Sequence, residues 1–130
     1  LKGGGSGEGA KRAIGSGCPA IMVATHGGRQ VDGSRSPCDQ VKELSDAVGD
    51  KLEIILDGGV RRGTHVLKAL AAGATACSFG KMFLFSLGAG GQPGVERLLQ
   101  NMHDEINRNM VLMGCKNIKE LNRSKLIYRK

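Results

Sequence analysis

Aromatic side chains are scarce in this 130-residue sequence: no tryptophan, one tyrosine and three phenylalanines. Prolines number three and cysteines four. Cys18, Cys38, Cys77 and Cys115 are widely spaced and form no Cys-x-x-Cys pair, which argues against a zinc site or a disulfide framework. A reducing cytoplasm is the expected setting, and no metal is expected. No apolar run is long enough to span a bilayer, and the first residues lack a signal-peptide pattern.

Glycine, by contrast, is plentiful at 21 residues. Many glycine turns between short apolar runs suit an α/β protein rather than disorder. The length allows one core. The formal net charge is +7, and residues 116–130 hold six Lys or Arg against the single Glu120. No nucleic-acid motif accompanies this charge, so no nucleic-acid partner is expected. The division is a domain over 1–115 and a basic, solvated C-terminal tail over 116–130.

Leu1-Lys2-Gly3 reads as the end of a strand. Gly3 to Gly9 has a linker composition in which a helix is hard to start, because each interior glycine costs about 1 kcal/mol relative to alanine. Ala10, Ala13 and Ile14 then share one helical face, ended by Gly15-Ser16-Gly17. Ala20 to Ala24 is a continuous apolar run, as in a buried parallel strand. Ser36-Pro37-Cys38-Asp39 predicts a helix start with a Ser36 cap and an Asp39 capping box, followed by a buried face of Val41, Leu44 and Val48. Leu52 to Leu56 predicts a strand, and Thr64 to Ala72 a helix burying Val66, Leu67 and Leu70. A last strand ends at Phe79. Phe83 to Leu87 predicts a short packed turn or helix, and Gly88 to Pro93 a loop. A long helix to Met113 follows, with a stripe of Val95, Leu98, Leu99, Met102, Ile106, Met110 and Met113 and with Gly114 as its C-cap. The sequence is four βα units, about half of what a closed eight-stranded barrel of about 250 residues needs.

Two glycine turns stand out. Asp57-Gly58-Gly59-Val60-Arg61 and Phe79-Gly80-Lys81 each follow an apolar strand. Glycine turns at the ends of neighbouring parallel strands bring backbone N–H groups close to one phosphate, with Arg61 and Lys81 adding positive charge. His26-Gly27-Gly28-Arg29-Gln30 follows the Ala20 to Ala24 strand, at the strand end where chemistry gathers in parallel α/β folds. His65 and His103 receive no role and are expected at the surface.

These motifs, with Lys68 to Ala74 and Gly80-Lys81-Met82-Phe83-Leu84, resemble the FMN-dependent α-hydroxy-acid dehydrogenase family, of the L-lactate dehydrogenase and glycolate oxidase type. The pairing of His-Gly-Gly-Arg-Gln with Asp-Gly-Gly-Val-Arg is the specific part. The resemblance implies the C-terminal half, strands five to eight, of a TIM (β/α)8 barrel with FMN as cofactor. It implies His26 as catalytic base, and His26 with Arg29 as the binders of a small 2-hydroxy acid such as L-lactate. It implies Asp57 on the ribityl chain. Gly58, Gly59, Val60, Arg61, Gly80 and Lys81 would lie around the phosphate, with Lys2 beside the flavin ring.

The chemistry suits those residue types. An imidazole accepts a proton at neutral pH, a guanidinium grips a carboxylate through two parallel hydrogen bonds, and an ammonium offsets negative charge developing on a flavin. The sequence departs from the family at Ala24 and Thr25, where Ser-Asn is usual, and at Lys81, where Arg is usual. The family's first four strands, its active-site tyrosines and the Asp that orients the histidine have no counterpart here. The expected partners are therefore another copy of the chain or the missing N-terminal half-barrel. The other readings are a different phosphate- or nucleotide-binding barrel enzyme, which needs the glycine turns but not Arg29, and a non-catalytic half-barrel assembly module.

Overall fold

The structure is a computed structural model that describes residues 1–3 and 5–128. Gly4, in the glycine-rich run, and Arg129 and Lys130, in the basic tail, lie outside the described residues.

Three parallel strands form one sheet in chain order: β1 (Ala20–Val23), β2 (Glu53–Asp57) and β3 (Ala76–Ser78). Lys2 adds a single parallel bridge to Met22 on the outer side of β1, so the first expected strand is present as one rung. Its backbone bonds are good ones, with Met22 N–H donating to Leu1 O at 2.7 Å and Gly3 N–H to Met22 O at 2.9 Å. The register aligns Lys2, Met22, Ile55 and Ala76 across the sheet. Every chain segment leaving a strand therefore emerges on the same rim.

Among the described residues four α-helices alternate with the strands: α1 (Gly7–Gly15), α2 (Pro37–Val48), α3 (Gly63–Ala72) and α4 (Lys81–Leu112). The core lies between sheet and helices. Ile21, Val23, Ile54 and Leu56 from the strands meet Val41, Leu44 and Val48 of α2 and Ala69 and Ala72 of α3. Burying an aliphatic side chain of this size stabilises by about 1.5–3 kcal/mol. In α3 Leu67 is fully buried, while Val66 and Leu70 are partly buried against the two clusters.

Several local expectations are corrected. Helix α1 does begin inside the glycine run. Ser6 caps it by accepting from Gly9 N–H at 3.1 Å, and Glu8 sits in its first turn. A Cβ at Gly7 would lie 2.9 Å from Ala47 Cβ, so the glycine lets α1 approach α2 closely. Capping and close packing together offset the intrinsic cost of glycine. At α2, Pro37 does occupy the first turn, but the Ser36 side chain makes no capping bond; Asp39 N–H donates to the Ser36 carbonyl instead.

The expected loop is shortened to a break at Gly91 (φ 58°, ψ −145°) between two helical arms of α4, and a Cβ at Gly94 would run into the Ser86 carbonyl. Before the bend, Phe83, Leu84, Phe85 and Leu87 are exposed rather than packed, Phe85 by 65%. After it, Leu98, Met102 and Met110 are buried but Leu99 is 52% exposed, so the buried stripe is narrower than the apolar one.

Through Tyr128 the basic stretch folds back across the helices instead of extending into solvent. Leu121 is buried, and Leu126 packs against both core clusters. Arg123 donates to the Ala72 carbonyl at 3.3 Å and pairs with Asp46. Cations suit helix C-terminal carbonyls, and Ala72 is the last residue of α3. No helix among the described residues is long and apolar enough to cross a membrane.

Candidate functional site

Four segments meet at the rim: Lys2-Gly3 after the first rung, His26 to Arg29 after β1, Gly58 to Arg61 after β2 and Gly80-Lys81 after β3. Parallel pairing and right-handed crossovers place them on one end of the sheet.

The turn after β2 is built on glycine. Gly58 and Gly59 have φ of 103° and 76°, values a side chain rarely tolerates. A Cβ at Gly59 would meet nothing within 4 Å, so this backbone faces open space. Val60 points its side chain into the core, leaving only its main chain to the rim. Arg61 is exposed. The turn after β3 is equally open. Gly80 caps α4 with no side-chain capping bond, a Cβ there would meet nothing within 4 Å, and Lys81 is exposed. Uncovered backbone, an uncapped helix start and two exposed cations fit a phosphate.

The turn after β1, His26–Gly28, runs through positive φ at all three residues. His26 itself takes φ 52°, the one non-glycine residue in the left-handed region among the described residues. Its ring rests on Gly3, where a Cβ would stand 3.0 Å from His26 Cε1. Lys2, Thr25, His26, Gln30 and Gln40 help to line a cavity of about 280 Å³. Arg29 is exposed and does not line that cavity, although His26 does. The structure thus brings Lys2 and His26 together and leaves Arg29 outside.

Lys2 Nζ donates to Asp57 Oδ2 at 2.7 Å, reaching past β1 to the end of β2. The sequence motifs assign both residues to the rim but do not anticipate their pairing.

Two further residues, Gln40 and the His65 that the sequence left without a role, make contacts at the site. Gln40 is the one buried polar residue among those described; its Nε2 donates to Arg35 O at 2.6 Å, tying the loop after β1 to α2. It lies one turn into a helix whose other buried residues are apolar, and only its place on that face hints at burial. His65 reaches back over the β2 turn, with Nδ1 3.2 Å from both Arg61 N and Gly59 O. Its position, third in α3, is where reciprocal capping side chains sit, and that was the available signal.

Glu105 of α4 closes the other side of this region. Its Oε1 accepts from Arg62 Nε and Nη2 at 2.9 and 2.6 Å, and its Oε2 from Gly63 N–H at 2.9 Å. The bonds from Arg62 hold the Glu105 carboxyl below the usual carboxylate range. Burial, and then neighbouring Cys38, push the Cys77 thiol up to about 11, so it stays protonated at neutral pH and is no nucleophile. Among the described residues no group of three or more His, Cys, Asp or Glu is arranged to hold a metal. A larger hollow of about 690 Å³ between α2, α3, the end of α4 and the tail contains none of the rim residues.

Residues 1–128 match the model of a family described as FMN-dependent dehydrogenase. The chain is 44% identical over 124 residues to an L-lactate oxidase from Nostoc sp., covering 95% of this chain and 34% of that protein. It is 43% identical over 117 residues to glycolate oxidase from Spinacia oleracea, covering 90% of this chain and 32% of that protein. Among solved structures it superposes on a flavocytochrome b2 variant with sulfite bound, with a TM-score of 0.91 and 39% identity over 95% of this chain and 33% of that one. It superposes equally on mandelate oxidase with benzoyl-formic acid, at a TM-score of 0.91 and 40% identity over 95% of this chain and 37% of that one. The chain therefore spans about a third of the length of the curated relatives it matches.

Proposed function

This chain belongs to the FMN-dependent dehydrogenase family, and we propose that it is the C-terminal half of a TIM barrel that oxidises a small 2-hydroxy acid, L-lactate or a close analogue, to the 2-oxo acid. The observation that carries this reading is the convergence of Lys2, the His26 turn and both open glycine turns on one rim of a parallel sheet. The four strand positions are strands five to eight. Residues 1–115 form the flavin- and substrate-binding part, and 116–130 the basic tail. The missing half-barrel, or a second copy of the chain, covers the outer side of β3 and the exposed apolar residues 83–87. A reducing cytoplasm remains the proposed setting.

FMN, when bound, supplies the two-electron acceptor. The backbone of Gly58, Gly59 and Val60, with Arg61, Gly80 and Lys81, holds its phosphate, Asp57 the ribityl chain, and Lys2 the ring edge. Oxidation of the substrate removes two electrons and two protons, and a ring nitrogen of His26 takes one of those protons. Arg29 grips the substrate carboxylate once its exposed side chain turns inward. The Lys2 ammonium, already at the rim, offsets negative charge developing beside it.

A split-protein experiment tests the reading. The chain is co-expressed with the N-terminal two thirds of the Nostoc relative, and L-lactate is added without oxygen. The expected result is a yellow complex that L-lactate bleaches. His26→Asn stays yellow and bleaches about 10²–10⁴-fold more slowly, the usual worth of a general base. A yellow complex indifferent to L-lactate, glycolate and mandelate would overturn the proposal.

A further inference from the structure

The turn after β2 is held by a side chain that the chemistry above does not use. His65 Nδ1 stands 3.2 Å from the amide nitrogen of Arg61 and 3.2 Å from the carbonyl oxygen of Gly59. One ring nitrogen serves one of these at a time. Bearing a lone pair it accepts from the Arg61 N–H, and bearing a hydrogen it donates to the Gly59 carbonyl. In either tautomer the ring braces the segment 59–61.

That segment needs a brace. Gly58 and Gly59 both lie in the left-handed region, and glycine loses more conformational freedom on ordering than any other residue. Nothing packs within 4 Å of a Cβ position at Gly59, and at Gly58 only Pro37 Cγ comes near, at 3.8 Å. Glu105 secures the next two residues through Arg62 and the Gly63 N–H, but it does not reach Gly59. Val60 anchors the middle of the turn from below, and His65 closes it from the side of α3.

We propose that His65 is a positioning residue that pre-orders the Gly58 to Arg61 turn for a phosphate monoester, so that the ordering cost is met on folding rather than on ligand binding. The inference rests on the assignment of this turn to the FMN phosphate. It predicts a dependence on the phosphate group that a residue serving stability alone would not show.

Wild-type chain, His65→Ala and His65→Asn, each complemented with the N-terminal two thirds of the Nostoc relative, are titrated with FMN and with riboflavin, which lacks the phosphate, and flavin fluorescence is followed. Hydrogen exchange of the Arg61 amide is measured on the same proteins without flavin. His65→Ala should weaken FMN about five- to tenfold, the worth of one hydrogen bond, and riboflavin less than about twofold. His65→Asn, whose side-chain oxygen can accept from the Arg61 N–H, should recover most of that loss. Unchanged FMN affinity in His65→Ala, or equal loss for both flavins, overturns the proposal. If the wild-type chain takes up neither flavin, the phosphate assignment fails for this chain and the proposal with it. The Arg61 amide then reports on the brace alone, through faster exchange in His65→Ala than in wild type.

Discussion

The turns after β1 and β2 sit at neighbouring strand ends and are built in opposite ways. After β2 the left-handed positions fall on Gly58 and Gly59, Val60 is anchored in the core, and His65 ties the outer side. After β1 the left-handed position falls first on His26 itself, and the residues that follow are largely exposed. A non-glycine residue held there costs on the order of 1–3 kcal/mol. Its visible support comes from far away in the chain, where the ring rests on Gly3. The end of the rim proposed for the phosphate is thus prebuilt by its own unit, whereas the end proposed for proton transfer depends on the first strand.

That contrast can be broken from either side. The largest effect is expected from Gly3→Val. Its side chain would enter the space of His26 Cε1 at a backbone φ of 92° that valine avoids. In the complemented enzyme, turnover should fall about 10²-fold, as a displacement near 1 Å can cause, while FMN affinity stays within about twofold. Equal losses in both would mean the two turns are not independent. A middle-sized effect is expected from Gly59→Ala, which meets no neighbour and acts through φ alone. It should lower stability by about 1–2 kcal/mol and weaken FMN, leaving turnover at saturating flavin intact. Thermal melting and flavin titration read these out.

The smallest effect concerns acid. Glu43, Asp46 and Glu105 are all held below their ordinary range, Glu43 by Arg35, Asp46 by Lys42 and Arg123, and Glu105 by Arg62. Carboxyls lowered by folding contribute in full above their unfolded values, near ~4, and lose that contribution as pH falls through the lower folded values. Melting temperature should therefore decline below about pH 4. Glu105→Gln should flatten part of that decline and loosen the start of α3 beside the β2 turn. The Glu43 and Asp46 pairs are exposed, and Glu105, itself half-buried, pairs with an exposed Arg62, so the change is modest. An unchanged acid profile in Glu105→Gln would remove Glu105 from the account.

What could be read from the letters were the units whose signals are local. Ala20 to Ala24, Leu52 to Leu56 and the face of Val41, Leu44 and Val48 announce themselves by apolar runs or by helical spacing, and all are buried or half-buried as expected except Glu53, which opens β2 at the surface. The rim motifs were legible for the same reason, since glycine turns after strands carry their geometry in the residue type. What was not legible came from contacts distant in the chain. Helix α1 depends on Ala47 and Glu43, whose proximity to Gly7 no propensity reveals. The Lys2 to Asp57 pair spans most of the sheet. The stretch from Phe83 to Leu87 was expected to be packed because it is apolar, yet Phe83, Leu84, Phe85 and Leu87 are exposed. Arg29 was assigned beside His26 from the resemblance and from its place in the same loop, but the backbone between them runs through positive φ at His26, Gly27 and Gly28, and of the two only the histidine borders the cavity.

The bend at Gly91 bears on how that uncovered stretch meets its cover. With Gly94 lodged against the Ser86 carbonyl, the two arms of α4 pack backbone against backbone, and the first arm turns its phenylalanines and leucines outward. A docking surface that is already shaped spares association the delay of a conformational search. The cover proposed above would meet a face whose direction that close approach sets.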